Sequence, residues 1–129
     1  MIALTEDLLV EHAPADVSGW VDVCRHDDLS PERGVAVLVR DEQVALFRLA
    51  DGSLAAVSNF DPFSRAYVLA RGIVGTRGGT PTLASPMYKQ VFDLWSGRCL
   101  DHEDVCLQVY PARVEAGRVL VGLPMLGAP

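Results

Sequence analysis

Hydrophobic residues in this chain come in short, Val-rich bursts, not at the three-to-four-residue spacing of an amphipathic helix. Bursts of four to seven residues bounded by turn formers predict β-strands. The pattern places strands over 20–24, 35–40, 43–49, 54–58, 73–76, 82–85, 91–94, 112–114 and 118–122. Within one of them Ala45, Phe47 and Leu49 share one face while Val44, Leu46 and Arg48 share the other, so at least one face is buried. Val119 and Val121 repeat the alternation near the C-terminus.

The punctuation fits the same picture. Asp51-Gly52, Gly78-Gly79 and Glu115-Ala116-Gly117 offer residues that tolerate positive φ, and each predicts a tight hairpin. A helix is an alternative only over 64–71, where Gly72 would end it after about two turns. Residues 1–18 lack a sustained period and include the helix-unfriendly Ala13-Pro14-Ala15-Asp16, so they read as an N-terminal arm. Residues 19–123 read as one all-β domain and 124–129 as a short tail.

Composition narrows the role. A chain of 129 residues, 50% of them hydrophobic, removes roughly two thirds of its unfolded surface from water and needs no disulfide or metal staple. Its 17 acidic and 11 basic residues give a formal charge of −6, which argues against nucleic-acid and membrane-surface partners. Cys24, Cys99 and Cys106 are an odd set with no C-x-x-C spacing, as expected in a reducing cytoplasm. The acidic start through Glu6 and Asp7 does not resemble an export signal, and the longest aliphatic run, 35–39, is far short of the roughly 20 residues that cross a bilayer.

Two stretches carry the chemistry: Val57-Ser58-Asn59-Phe60-Asp61-Pro62-Phe63, and the segment from Ala84-Ser85-Pro86-Met87-Tyr88-Lys89-Gln90 through Phe92-Asp93-Leu94 to Ser96-Gly97. In each, a strand runs into a loop with proline at its first turn. This arrangement resembles the Rieske iron–sulfur fold, an antiparallel β-sandwich or barrel with little helix. There, two hairpin loops present C-x-H and C-P-x-H-G, followed by an F-D-L strand and a Ser-Gly or Thr-Gly turn. The resemblance puts Asp61 and Phe63 at the first ligand pair and Ser85 and Tyr88 at the second. A Rieske cluster takes two thiolates and two imidazoles, and none of these four side chains supplies either.

A Rieske-like frame without ligands resembles the small subunit of assimilatory NAD(P)H-dependent nitrite reductase. Asn59-Phe60-Asp61-Pro62-Phe63, Leu69-Ala70-Arg71-Gly72, Ala84-Ser85-Pro86-Met87-Tyr88-Lys89-Gln90 and Cys99-Leu100-Asp101-His102-Glu103 carry the likeness, which spans about 19–123. It implies a cytoplasmic accessory chain with no cofactor or catalytic residue of its own. Its partner would be a large subunit holding FAD, sirohaem and a 4Fe-4S cluster, where nitrite is reduced to ammonia. In the emptied site the rings of Phe63 and Tyr88 are expected to lean together, with Asp61 accepting backbone N–H groups. The loop end, with Phe60, Phe63, Met87 and Tyr88 near it, or the sheet beside it, is the expected docking surface.

Two other readings compete. Cys24-Arg25-His26 and Cys99-Leu100-Asp101-His102 spell cluster-like spacings, which would make the chain a Rieske-type ferredoxin or a zinc protein, but neither segment has nearby Gly and Pro to free backbone N–H groups for sulfur. A metal-free β binding module is the other. The remaining motifs are weaker. His12, His26 and His102 lie near carboxylates, and Ser58, Ser64, Ser85 and Ser96 all lie outside a nucleophile elbow. Arg77-Gly78-Gly79-Thr80 lacks the lysine of a phosphate loop. Trp20 and Trp95 read as packing anchors and 98–104 as a solvated loop.

Overall fold

The computed structural model describes residues 19–123. The predicted arm, the tail and His12 lie outside them. Eleven strands and two single-turn 3-10 helices follow one another: β1 (Trp20–Arg25), β2 (Val35–Val39), β3 (Glu42–Arg48), β4 (Leu54–Ser58), β5 (Phe60–Asp61), β6 (Ala66–Tyr67), β7 (Ile73–Arg77), β8 (Thr80–Ala84), β9 (Val91–Asp93), β10 (Ala112–Glu115) and β11 (Arg118–Gly122). They form antiparallel sheets ordered β1-β11-β10, β2-β3-β4, β5-β6 and β7-β8-β9.

The middle sheet is buried on both faces, more than its alternation required. Val44 and Leu46 of β3 and Ala56 of β4 join Val21, Val23, Val119 and Val121 of the first sheet in one core. Ala45, Phe47, Ala55 and Val57 point the other way, into a second core with Leu69, Leu83, Phe92, Leu94 and Leu107. The first core is a small sandwich. The second carries β7-β8-β9 and the two proline-led loops.

Local chemistry explains the joints. Gly78-Gly79 and Ala116-Gly117 have positive φ at both positions, the geometry that matches the twist of a two-residue hairpin. Arg40 and Asp41 do the same between β2 and β3 without a glycine (φ 48° and 77°), a turn that the sequence did not announce. The Asp51-Gly52 turn is looser, with residues 49–53 outside the flanking strands. No two-turn helix forms over 64–71. Residues Ala66–Tyr67 pair with β5, and only Leu69–Arg71 turn, as a single 3-10 turn capped by the Gly72 N–H on the Leu69 carbonyl. Tertiary anchoring decides this: the buried Asn59 side chain accepts the Ala70 N–H at 2.7 Å and donates to Gln43 at 3.1 Å, pinning the turn to β3.

Candidate functional site

The two proline-led loops are built alike. Each opens on a polar side chain, Asp61 or Ser85, whose oxygen accepts the N–H two residues on, at 2.9 Å from Phe63 and 3.1 Å from Met87. Each closes on a basic residue with positive φ, Arg65 (64°) or Lys89 (65°), whose N–H returns to the opening residue's carbonyl at 2.7 and 3.1 Å. Proline stands second in both because its fixed φ suits the turn and the absent donor is not needed.

The opening residues meet across the gap. The Ser85 hydroxyl donates to Asp61 Oδ2 at 2.6 Å, a charge-assisted bond between side chains only 2% and 0% exposed. Asp61 Oδ1 also takes the Ser64 N–H at 3.4 Å. The pair thus ties both loops to one point and leaves neither carboxylate oxygen unpartnered.

A model of the Rieske-like 2Fe-2S domain matches residues 19–122. The NADH nitrite reductase small subunit of Escherichia coli K12 is 43% identical over 104 residues, 80% of this chain and 96% of that one. This chain belongs to the Rieske-like family of nitrite reductase small subunits. A crystal structure from Mycobacterium tuberculosis, described as an NADH-dependent nitrite reductase small subunit, superposes with a TM-score of 0.81 at 52% identity, covering 86% of this chain and all of that one. A nitrite reductase NAD(P)H large subunit from Klebsiella oxytoca is also 38% identical over 103 residues, 80% of this chain but only 11% of its own length.

The matched family is a 2Fe-2S domain, and the donor set at these loops does not fit such a cluster. Such a cluster wants two thiolates on one iron and two imidazoles on the other. The loops of this Rieske-like subunit offer a carboxylate and a hydroxyl already committed to each other, a phenyl ring, and a phenol. Among the described residues no group of three or more His, Cys, Asp and Glu is placed to hold a metal ion. The alternative Cys/His set is not gathered either: Cys24 packs against the first core and Cys99 is buried in the second.

The expected Phe63–Tyr88 contact does not form. Tyr88 is 60% exposed, whereas Phe63 turns inward onto Phe92 (ring centroids 6.2 Å apart) and under His102 (5.0 Å). Phe92 and the Cys99–Val105 turn are anchored by backbone pairing, so the inner wall offers Phe63 apolar area, which the loop tip cannot offer Tyr88. His102 is exposed, as a solvated loop residue should be, yet its ring sits in tilted contact with Phe63, and Asp101 beside it accepts the Val91 N–H at 2.9 Å. Nothing in the spacing of 98–104 signalled either contact.

The tryptophans divide. Trp20 packs beneath the Arg113 guanidinium, 4.3 Å from the ring centroid. Trp95 is exposed and lines an open cleft of about 320 Å³ with Glu32, Asp51 and Val74, so it is not a packing anchor. Away from the loops, burial and the Asp28 carboxylate push the Cys24 thiol from 9.0 up to about 12. Burial and the Glu42 carboxylate push Tyr110 from 10.0 up to about 12, with its hydroxyl 3.3 Å from Glu42.

Proposed function

We propose that this chain is the accessory small subunit of an NAD(P)H-dependent nitrite reductase, non-catalytic itself, working bound to a large subunit that holds the FAD, sirohaem and 4Fe-4S centres and reduces nitrite to ammonia. The observation that carries this is the pair of matches taken together: the same module occurs as a separate small subunit in one relative and inside a large-subunit chain in another. A module found both tethered to and free of one partner acts in contact with that partner.

The site supports a structural role in that contact. On this reading Asp61, Phe63, Ser85 and Tyr88 stand at ligand positions that the cluster has vacated. The Asp61–Ser85 hydrogen bond and the inward Phe63 ring hold the loops in shape where iron would otherwise bridge them. Electron transfer then runs wholly within the large subunit. The test is purification of the large chain with and without this one, followed by nitrite-dependent NAD(P)H oxidation. The proposal expects turnover by the large subunit to rise on adding this chain. Identical turnover with no physical association contradicts it.

A further inference from the structure

We infer that the outer face of the β7-β8-β9 sheet, together with the tip of the loop between β8 and β9, is the surface that docks on the large subunit. This inference rests on the proposed function and names the contact. Register is its basis. Ile73 pairs with Ala84, Ala84 with Val91, and the antiparallel bridge between Phe92 and Cys99 sets Val91 opposite Leu100. Directly opposed residues share a face, so these four form one apolar row crossing three inter-strand gaps, about 14 Å at ~4.8 Å each. The opposite face is the buried one, carrying Val74, Leu83, Phe92 and Cys99.

The row is open to solvent at both ends, with Ile73 72% and Leu100 41% exposed, and Met87 and Tyr88 extend it where the loop leaves β8. Four of the seven exposed large hydrophobic residues among the described ones therefore lie on a single edge of the molecule. A contiguous patch of this kind marks an interface more often than chance exposure. The far sheet offers the contrast. There Arg118 grips Asp22 at 2.8 Å, Arg113 pairs with Glu115 at 3.5 Å, and Arg113 covers Trp20. That surface is satisfied by its own charges.

Charge fixes the partner's chemistry. Arg65, Arg71 and Lys89 surround the loop end of the patch, all exposed, and none forms an ion pair with another described residue. Asp101, Glu103 and Asp104 follow Leu100 at the other end. The fitting occupant is a protein surface with an apolar centre and acidic groups facing the loop tips, which steer an otherwise acidic chain into register. The Klebsiella relative, which carries this fold within a large-subunit chain, makes that chain the occupant in preference to a second copy.

The test measures the affinity of the full-length protein for the purified large subunit. Ile73→Lys and Leu100→Lys are each expected to weaken binding at least about tenfold, since each places a charge where the partner must bury the row's most exposed apolar side chains. Val114→Lys, at a 43% exposed position of β10 in the far sheet, leaves it unchanged. Unaltered circular dichroism and melting temperature establish that each variant is folded. Wild-type binding with both row variants equal to it overturns the surface alone. Failure of the wild-type chain to bind overturns the proposed function. Row variants that abolish self-association while keeping large-subunit affinity assign the face to a second copy and overturn the inference.

Discussion

At the scale of single residues, Asp61 and Ser85 are where the second half of the domain is tied together. Ser85→Ala leaves a fully buried carboxylate oxygen without its shortest donor, so it should lower unfolding free energy by about 1–3 kcal/mol, read from the urea midpoint at constant m. Ser64 is the counter-case on the same loop. Its hydroxyl is buried with no partner among the described residues, and Ser64→Ala is expected to be neutral or stabilising. Phe63→Ala removes a partly buried ring and should cost about 2 kcal/mol, less than the ~3–5 of a fully buried phenylalanine, while Tyr88→Ala should stay within about 0.5.

Titration gives a further test at this scale. Cys24 and Tyr110 are both held protonated in the folded state. Their contribution is complete below the unfolded values near 9.0 and 10.0 and is lost as pH rises toward about 12. Melting temperature should therefore fall between pH 9 and pH 12, and Cys24→Ala should flatten the lower part of that fall.

At the scale of elements, glycine decides where chain segments may touch. Gly97 has φ +82°, and a Cβ there would strike the Leu107 carbonyl. Gly72 has ordinary φ, but a Cβ would lie 2.5 Å from the Ala84 carbonyl and 2.8 Å from Leu83. Gly97→Ala and Gly72→Ala should each cost more than about 1 kcal/mol by thermal unfolding, whereas Gly52→Ala meets no atom and pays only for its positive φ.

Most strands were legible because alternation and glycine-bearing turns are local signals. The two-residue strands β5 and β6 were not, since two residues carry no period and 64–71 is kept from a longer helix by long-range contacts, the pairing with β5 and the pinning of Leu69–Arg71 by Asn59. The same division holds at the site. Asp61 and Ser85 could be singled out from the paired proline-led loops, but their mutual hydrogen bond spans 24 residues and leaves no trace in spacing. Tyr88 stays outside for a related reason: sequence shows an aromatic residue on a loop without showing that the inner wall is already filled by Phe63 against Phe92.

At the scale of the whole molecule, a double-faced central sheet separates a charge-satisfied sandwich from a half that bears the loops and the apolar row. The architecture is that of an iron-binding fold, and the chemistry at its tip is that of a hydrogen-bonded clasp. The most direct test of that contrast is the iron and acid-labile sulfide content of the purified full-length chain, taken with its visible spectrum and melting temperature. A colourless protein that unfolds cooperatively, and whose melting temperature is unmoved by chelator, is the predicted result. A reddish-brown chain with two irons and two sulfides per molecule would contradict the account.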